Sequence, residues 1–204
     1  FNSEDMDKDE LENFLKIVNE GTEILLININ RATELMKSFK KVAIDQIGEE
    51  KRRFNILFYF KDVIKSLQPM LHKSNIQIVL ECDEKIEITS FPGAFAQILI
   101  NLITNTLVHG FNDKKSGKIM LKISMDNTRL TFIYEDNGSG IPDDIVEKIY
   151  DMLFTTSSNQ ERNGLGMYIV HELVANKLNG EIKYEGKFGI GVRFVIKVPK
   201  KELE

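Results

Sequence analysis

IMLKISMDNTRLTFIYEDNGSGIP, residues 119–142, contains two runs of alternating apolar and polar residues joined by a short polar segment. Apolar side chains recur at every second position on both sides of Asp126-Asn127-Thr128, which is the pattern of strands that each bury one face. The polar segment predicts a hairpin turn. The second run ends at Asp136, and a glycine-rich stretch follows. We therefore predict an antiparallel hairpin that leads into a glycine-rich turn.

Helical and strand patterns alternate on both sides of this hairpin. Helices are predicted at residues 58–73, 91–110, 142–151 and 165–178. Further strands are predicted at residues 76–80, 182–184 and 192–198. Ser90 is the candidate N-cap of the second helix. Because both hairpins and helices link the strands, the predicted fold class is an α/β (α+β) two-layer sandwich, a mixed β-sheet with helices on one face.

The N-terminal region carries a different pattern. From Leu11 to Ala43, apolar residues follow one another at spacings of three and four, apart from one longer step. A pattern sustained over about 35 residues predicts a helix of ~50 Å that forms part of a bundle. We expect this helix to dimerise, and packing against its own globular domain is the alternative. Charged residues 49–53 then form a linker, which divides the chain into a helical region at 1–48 and a second domain at 49–204.

Composition excludes several classes of protein. Of the 204 residues, 42% are apolar and 28% are charged, as in globular domains and unlike disordered or collagen-like chains. The net charge of −4 gives no support to nucleic-acid binding. Cys82 is the single cysteine, so an internal disulfide is excluded and a reducing, cytoplasmic setting fits best. No apolar run approaches the ~20 residues of a membrane-spanning helix. Because the sequence starts at Phe1, we expect a fragment whose full-length protein could be anchored in a membrane.

A polar stripe runs along the predicted helix at residues 91–110. Gln97, Asn101, Asn105 and His109 recur at every fourth position and therefore share one face. Asparagine is a mediocre helix former, so this face is expected to contact water or a polar ligand. A carboxamide oxygen suits Mg²⁺, which prefers oxygen ligands and shares those of phosphates. By itself the stripe favours a solvated face, and a ligand site is the alternative.

Two glycine-rich segments lie further along the chain. In the first, Asp136 ends a strand, and Gly138 and Gly140 would let a ligand approach the backbone. A carboxylate there can accept a hydrogen bond from an exocyclic amine such as that of adenine, although Asp-Asn-Gly is equally an ordinary turn. In the second, Gly164 and Gly166 open a helix, where free N–H groups and the helix dipole favour phosphate. The second segment matches neither a Rossmann fingerprint nor a P-loop.

Small polar residues fill positions 154–160, a pattern typical of a mobile loop that can act as a lid. Taken in order, the asparagine-striped helix, the Asp136 turn, this loop, the second glycine pair and the final strands resemble the ATP-binding domain of sensor histidine kinases. That domain belongs to the GHKL superfamily and has the Bergerat ATP-binding fold. The resemblance covers residues 53–199, and residues 31–46 resemble the second helix of the kinase dimerisation hairpin.

The resemblance implies a role for each matching residue. Asn105 matches the residue that binds the Mg²⁺ bridging the nucleotide phosphates, and Asn101 matches the residue one turn earlier that faces the nucleotide; both count as catalytic. Asp136 matches the aspartate that accepts the adenine amine. The other implied cofactor-binding residues are His109 beside the nucleotide, Gly138 and Gly140 beside the base, Phe154 and Thr155 in the lid, and Gly164, Leu165 and Gly166 at the phosphates. ATP and Mg²⁺ are therefore the expected cofactors.

The sequence departs from the family pattern at four points. Val108 lies where Lys or Arg is common, and Arg162, at the position of a glycine, could supply that charge and joins the predicted cofactor-binding residues. Val192 replaces a Thr or Ser near the adenine pocket. No histidine matches the phosphoacceptor, because His171 begins a similar motif but lacks its proline and follows the second glycine pair. We expect the acceptor helix to precede Phe1.

These observations predict the core of a two-component sensor histidine kinase. It would bind Mg-ATP and transfer the γ-phosphate to a histidine on its own dimerisation helix, for relay to a response-regulator receiver domain, and it would form a homodimer. One alternative is a degenerate nucleotide-binding module that acts as a dimerisation scaffold. A GHKL ATPase is disfavoured, because Asn101 stands where such enzymes carry a glutamate base and a carboxamide cannot take a proton.

Overall fold

The computed structural model describes residues 11–29, 50–71, 75–111, 116–155 and 164–204. The helices in these ranges are α1 at residues 11–29, α2 at Ile56–Ser66, α3 at Gln68–Leu71, α4 at Pro92–Asn105 and α5 at Gly166–Glu172. Helices α4 and α5 continue into π-helical turns at Thr106–Gly110 and Leu173–Lys177. The strands are β1 at Arg52–Asn55, β2 at Ile76–Cys82, β3 at Glu87–Ser90, β4 at Gly117–Met125, β5 at Arg129–Asp136, β6 at Glu181–Tyr184 and β7 at Arg193–Pro199.

Five of these strands form a mixed sheet in the order β2-β4-β5-β7-β6. The β2–β4 pair is parallel and the other three pairs are antiparallel. A separate antiparallel pair, β1 and β3, lies outside this sheet. The predicted mixed sheet is confirmed.

The predicted hairpin is strands β4 and β5, whose register pairs Met125 with Leu130. Asp126 Oδ1 closes the turn by accepting hydrogen bonds from the Thr128 hydroxyl at 2.6 Å, the Thr128 N–H at 2.7 Å and the Arg129 N–H at 2.9 Å. These hydrogen bonds lower the pKa of Asp126 to about 2, and the bond from the Thr128 hydroxyl has the largest effect. The turn therefore fixes which side of β5 faces the core, and with it the position of Asp136.

The helices cover one face of the sheet. Helix α4 buries Ile98, Leu99, Leu102 and Ile103 in the same hydrophobic core as the inward-facing residues of β4, β5 and β7. Full burial of such a side chain stabilises a fold by about 1.5–3 kcal/mol. Because the apolar face of α4 lies on the sheet, its asparagine stripe faces away from the sheet and toward the cavity described below.

The predicted helix at residues 142–151 is wrong. The segment forms successive tight turns, in which the N–H groups of Ile145, Lys148 and Asp151 bond to carbonyls three residues back, at 2.9–3.1 Å. Its one regular element is a single 3₁₀ turn at Val146–Lys148. A helix would need bonds four residues apart, and these three-residue steps bring Ile145 and Ile149 to the cavity wall instead.

Two other expectations at element ends are corrected. The helix predicted at residues 58–73 stops at Ser66 and resumes only as α3, because Pro69 has no N–H to bond to the carbonyl four residues back and its ring crowds that carbonyl. Ser90 is not the N-cap of α4; Phe91 holds that position without a side-chain bond, and Ser90 is buried in β3.

Strands β1 and β3 were not predicted. The linker expected at residues 49–53 overlaps β1, where Arg52 pairs with Ser90 and Arg53 with Thr89. Arg53 also forms an ion pair with Glu87, at 2.5 Å. Four-residue strands with charged side chains lack the apolar alternation on which strand prediction depends.

The N-terminal helix is helical over residues 11–29, in agreement with the prediction there, while residues 30–49 lie outside the described residues. Its large apolar side chains are exposed, for example Phe14 at 55% and Leu25 at 63%. None of the helices in the described ranges is long and apolar enough to cross a membrane.

Asn55 joins three elements at the edge of the fold. Its Oδ1 accepts the Phe58 N–H at 3.1 Å and so caps α2, while its Nδ2 donates to the Glu84 carbonyl at 2.6 Å. We expect Asn55→Ala to lower the free energy of unfolding by about 1–2 kcal/mol, because both bonds are lost. Denaturant titration measures this loss, and Asn55→Ser, which keeps a cap acceptor, should recover part of it. A wild-type midpoint for Asn55→Ala would contradict the prediction.

Candidate functional site

A cavity of about 470 Å³ lies between α4, α5 and the glycine-rich turn that follows β5. The asparagine stripe of α4 forms one wall, and Asp136 closes one end. Apolar residues such as Ile145, Ile149 and Leu173 complete the lining. A mostly apolar cavity with a few convergent polar groups is the usual form of a small-molecule site.

Asp136 is held in place by three hydrogen-bond donors. Its Oδ1 accepts the Gly138 N–H at 2.8 Å and the Val192 N–H at 3.2 Å, and its Oδ2 accepts the Thr106 hydroxyl at 2.5 Å. The residue is 9% exposed. A carboxylate offers about four acceptor positions, so one position is left for a ligand donor.

Asn101 and Asn105 lie one helical turn apart on the cavity wall. The Asn101 Nδ2 is buried and has no hydrogen-bond partner among the described residues. The Asn105 carboxamide faces the start of α5 so closely that a Cβ added at Gly166 would lie 3.3 Å from its Oδ1. The last turn of α4 and the start of α5 therefore lie close together on one wall of the cavity.

Gly164 makes the turn into α5 possible. Its φ of +61° is a left-handed conformation, and a Cβ there would lie 2.6 Å from the carbonyl oxygens of Leu153 and Phe154. Only glycine adopts this geometry without strain. The residue thus brings the segment that ends at Thr155 against the start of α5.

The structure brings most of the predicted site residues to this one cavity. Its lining includes Asn101, Asn105, His109, Asp136, Gly140, Phe154, Thr155, Gly164, Leu165 and Gly166. Gly138 lies directly behind the carboxylate to which it donates. Arg162 lies outside the described residues. The individual roles of all these predicted site residues in ligand binding stay predictions.

Two buried residues beside the carboxylate were missed by sequence reasoning. The Tyr134 hydroxyl lies 2.7 Å from Thr106 Oγ1, which donates to Asp136. Thr106 follows Asn105 directly, and Tyr134 precedes Asp136 by one alternation of the strand. The signal available in the sequence was a pair of hydroxyl residues adjoining two predicted site residues.

The family departures have definite places in the structure. The side chains of Val108 and Val192 line the cavity, and the contact of Val192 with Asp136 is made by its backbone. His171 lies on α5 beside Tyr150, with ring centroids 5.3 Å apart, and does not line the cavity. Burial raises the pKa of Tyr150 to about 12, so this phenol is not a proton donor of practical use near neutral pH.

Within the described residues, no group of three or more His, Cys, Asp or Glu side chains is placed to hold a metal ion. The oxygen donor of Asn105 in the cavity wall is suited to a cation that takes most of its ligands from phosphate and water. Mg²⁺ is bound in this way at many nucleotide sites. The donor set therefore fits a magnesium ion that arrives with its ligand.

Proteins that are similar to this chain in sequence include sensor kinases. It is 24% identical to the sensor histidine kinase RcsC of Escherichia coli K12 over 192 residues, which cover 88% of this chain and 20% of RcsC. It is 29% identical to the sensor protein kinase WalK of Staphylococcus aureus over 196 residues, which cover 94% of this chain and 45% of WalK. The chain thus spans a fifth to under half of these relatives.

The fold is similar to that of solved histidine kinase structures. The nucleotide-free catalytic domain of the histidine kinase ThkA is similar with a TM-score of 0.64 and 26% identity, over 74% of this chain and 96% of that domain. ThkA in complex with the response regulator protein TrrA is also similar, at 22% identity and a TM-score of 0.63 over 96% of this chain and 53% of that chain, which shows the fold alone. The family profile described as histidine kinase-, DNA gyrase B-, and HSP90-like ATPase matches residues 92–202. This chain therefore belongs to that ATPase family, and its ATP-binding domain is of the sensor histidine kinase type.

Proposed function

We propose that this chain is the catalytic core of a two-component sensor histidine kinase, which binds Mg-ATP and transfers the γ-phosphate to a histidine. In this proposal, residues 49–204 form the ATP-binding domain, and the helical region at 1–48 belongs to the dimerisation domain. The observation that carries it is the buried Asp136, fixed by three donors at the end of the cavity with one acceptor position left. An adenine amine is a donor that fits this position.

The phosphates would lie at the other polar part of the cavity. Asn105 and the start of α5 share this wall, and backbone N–H groups at a helix start favour anions. Asn105 would hold Mg²⁺ together with phosphate oxygens, and the ion would neutralise phosphate charge. Gly164, Leu165 and Gly166 would approach the phosphates through their backbone, since two of the three carry no side chain.

Transfer to histidine asks little acid–base chemistry of this domain. The imidazole nitrogen forms a bond to the γ-phosphorus while the bond to the bridging oxygen breaks, and ADP leaves. Such a transfer depends mainly on positioning and charge stabilisation. Asn101 faces the cavity but cannot activate water as a general base, which disfavours a hydrolytic ATPase.

The proposed partners follow from the exposed surface of α1. Leu11, Phe14, Val18, Leu25 and Ile29 are all more than two-fifths exposed along this helix. Such a stripe supports association with the acceptor helix of a dimerisation hairpin and with a second copy of the chain. A response-regulator receiver domain would then take the phosphoryl group, in a cytoplasmic setting.

The proposal is tested by calorimetric titration of Mg-ATP into the protein. We expect saturable one-site binding, which Asn105→Ala weakens at least tenfold because the proposed magnesium ligand is lost; tenfold corresponds to about 1.4 kcal/mol. Omission of magnesium should have a similar effect. Asn176→Ala is the matched control, because this exposed residue bonds to Glu172 outside the cavity.

The alternatives predict different results. No binding up to millimolar ATP would contradict the kinase proposal and favour a dimerisation scaffold. Steady release of phosphate without an acceptor would favour an ATPase. If Mg-ATP binds, phosphotransfer is measured with labelled ATP in the full-length protein, and a label on histidine that is stable to base and labile to acid is the expected product.

A further inference from the structure

A chain of hydrogen bonds runs behind the carboxylate at the end of the cavity. The Tyr134 hydroxyl lies 2.7 Å from Thr106 Oγ1, and Thr106 Oγ1 lies 2.5 Å from Asp136 Oδ2. Tyr134 is 0% exposed and Thr106 4%. These hydrogen bonds therefore connect a residue of the hydrophobic core, Tyr134, to Asp136 in the cavity lining through buried side chains.

The direction of these hydrogen bonds follows from chemistry. An ionised carboxylate only accepts, so the Thr106 hydrogen must lie on the bond to Asp136. Thr106 Oγ1 is then left as an acceptor. The phenol hydrogen of Tyr134 has two acceptors within reach, Thr106 Oγ1 at 2.7 Å and the Leu102 carbonyl oxygen at 3.1 Å, and the shorter contact is the one to Thr106. Burial raises the pKa of Tyr134 far above its ordinary value, so this phenol keeps its hydrogen at any working pH. Tyr134 thus donates to Thr106, and Thr106 donates to Asp136.

The donors on the two carboxylate oxygens lock its orientation. Oδ1 is bonded to two backbone N–H groups, and Oδ2 is bonded to the Thr106 hydroxyl. Rotation about the last side-chain bond would break all three bonds. Without the hydroxyl, Oδ2 would be free to tilt or to bind water, and a bound water would place a hydrogen-bond donor where a base is to be recognised.

We propose that Thr106 and Tyr134 are positioning residues that set base specificity, because they keep Asp136 a fixed, pure acceptor that selects a purine with an amine at the recognised edge over one with a carbonyl. This inference rests on the proposed nucleotide site. A site with a buried polar group discriminates strongly, because the wrong ligand leaves that group unpaired or opposed. Val192, which also lines the cavity, has an apolar side chain and therefore supplies no competing hydroxyl.

The test compares two nucleotides that differ at that edge. Mg-ADP carries the amine, and Mg-IDP carries a carbonyl in its place. Both are titrated calorimetrically into the wild type and into Thr106→Val, which replaces the hydroxyl by a methyl group of similar size. We expect the wild type to prefer ADP, and the ADP-to-IDP ratio to fall about tenfold or more in Thr106→Val. Thr106→Ser should restore the ratio, and Tyr134→Phe should lower it several-fold.

The control is Thr131→Val, which makes the same chemical change on β5, at a position that does not line the cavity. It should leave the ratio unchanged. Melting temperatures are measured for all variants, because a purely structural role would lower stability without changing the ratio between two ligands.

Each outcome decides between the possibilities. A Thr106→Val protein that is less stable but keeps the wild-type ratio would overturn the inference, and so would a wild type that binds both nucleotides equally. A wild type that binds neither nucleotide would refute the proposed function itself, and the inference with it. A reduced ratio that Ser restores would support the inference.

Discussion

Mg-ATP affinity is expected to fall about 100-fold or more when Asp136 is replaced by asparagine. The wild-type carboxylate accepts from Gly138, Val192 and Thr106 and, in the proposed complex, from the base amine. A carboxamide has one acceptor end and one donor end. If its oxygen faces the two backbone N–H groups, its NH₂ group opposes the base amine. If it flips, the NH₂ group opposes the backbone N–H groups.

The magnitude follows from the charge of the lost bond. Hydrogen bonds to charged groups contribute about 1.5–3 kcal/mol, and a donor–donor contact adds a desolvation cost. A 100-fold change corresponds to about 2.7 kcal/mol. Asp62→Asn, on the exposed side of α2, is the charge-matched control and should bind like the wild type. Binding by Asp136→Asn within threefold of the wild type would show that this carboxylate does not recognise the base.

Gly191→Ala is expected to produce the largest loss of stability. Gly191 has a φ of +140°, which side chains rarely adopt, and a Cβ there would overlap the carbonyl oxygen of Asp136. Backbone strain and backbone overlap together cost about 3 kcal/mol or more. For a chain of this size, that corresponds to a fall in melting temperature of roughly 6–12 °C. The shift is measured by thermal unfolding at two scan rates.

Gly189→Ala separates the two causes of this stability loss, backbone strain and overlap with the Asp136 carbonyl. Gly189 lies in the same turn with a φ of +82°, and no atom lies within 4 Å of a Cβ built there. Gly189→Ala should lower the free energy of unfolding by only about 1–2 kcal/mol, which is the cost of the left-handed conformation. Equal losses in the two variants would mean that the overlap with Asp136 is relieved at no cost. A loss specific to Gly191 should also weaken nucleotide binding, because the displaced residue, Asp136, carries the carboxylate proposed to bind the base.

The parts of the fold that were predictable have regular periodicity. The alternation on either side of Asp126 predicts β4 and β5, and the apolar face of the 91–110 segment predicts α4. Strands β1 and β3 are too short and too charged for such a signal, and their pairing is a contact between residues more than 30 positions apart. The helix expected at residues 142–151 failed because its apolar spacing suits cavity-lining turns as well as a helix.

The residues of the candidate site likewise divide into those that the sequence predicts and those that it does not. Asn101, Asn105 and Asp136 could be named from motif and order, and the structure brings them to one cavity. Thr106 was not singled out, because its place beside Asn105 is only a weak signal and no local pattern reports that its hydroxyl bonds to Asp136, 30 positions away. Tyr134 looked like one more apolar residue of an alternating strand. The pairing register of the strands, which only the folded sheet defines, places the Tyr134 hydroxyl at the start of the hydrogen bonds that lead to Asp136.

Tyr134, the buried phenol from which these hydrogen bonds start, also gives the protein an intrinsic spectroscopic probe. The chain has five tyrosines and no tryptophan, so tyrosine emission is not lost by energy transfer to indole. All five tyrosines lie in the described ranges, and among them Tyr134 alone is fully buried. We expect its fluorescence and near-ultraviolet circular dichroism to change when the hydrogen bond to Thr106 is altered. The difference between the spectra of the wild type and of Tyr134→Phe isolates the contribution of this residue. Ligand binding at Asp136 can then be followed by fluorescence or circular dichroism without an added dye.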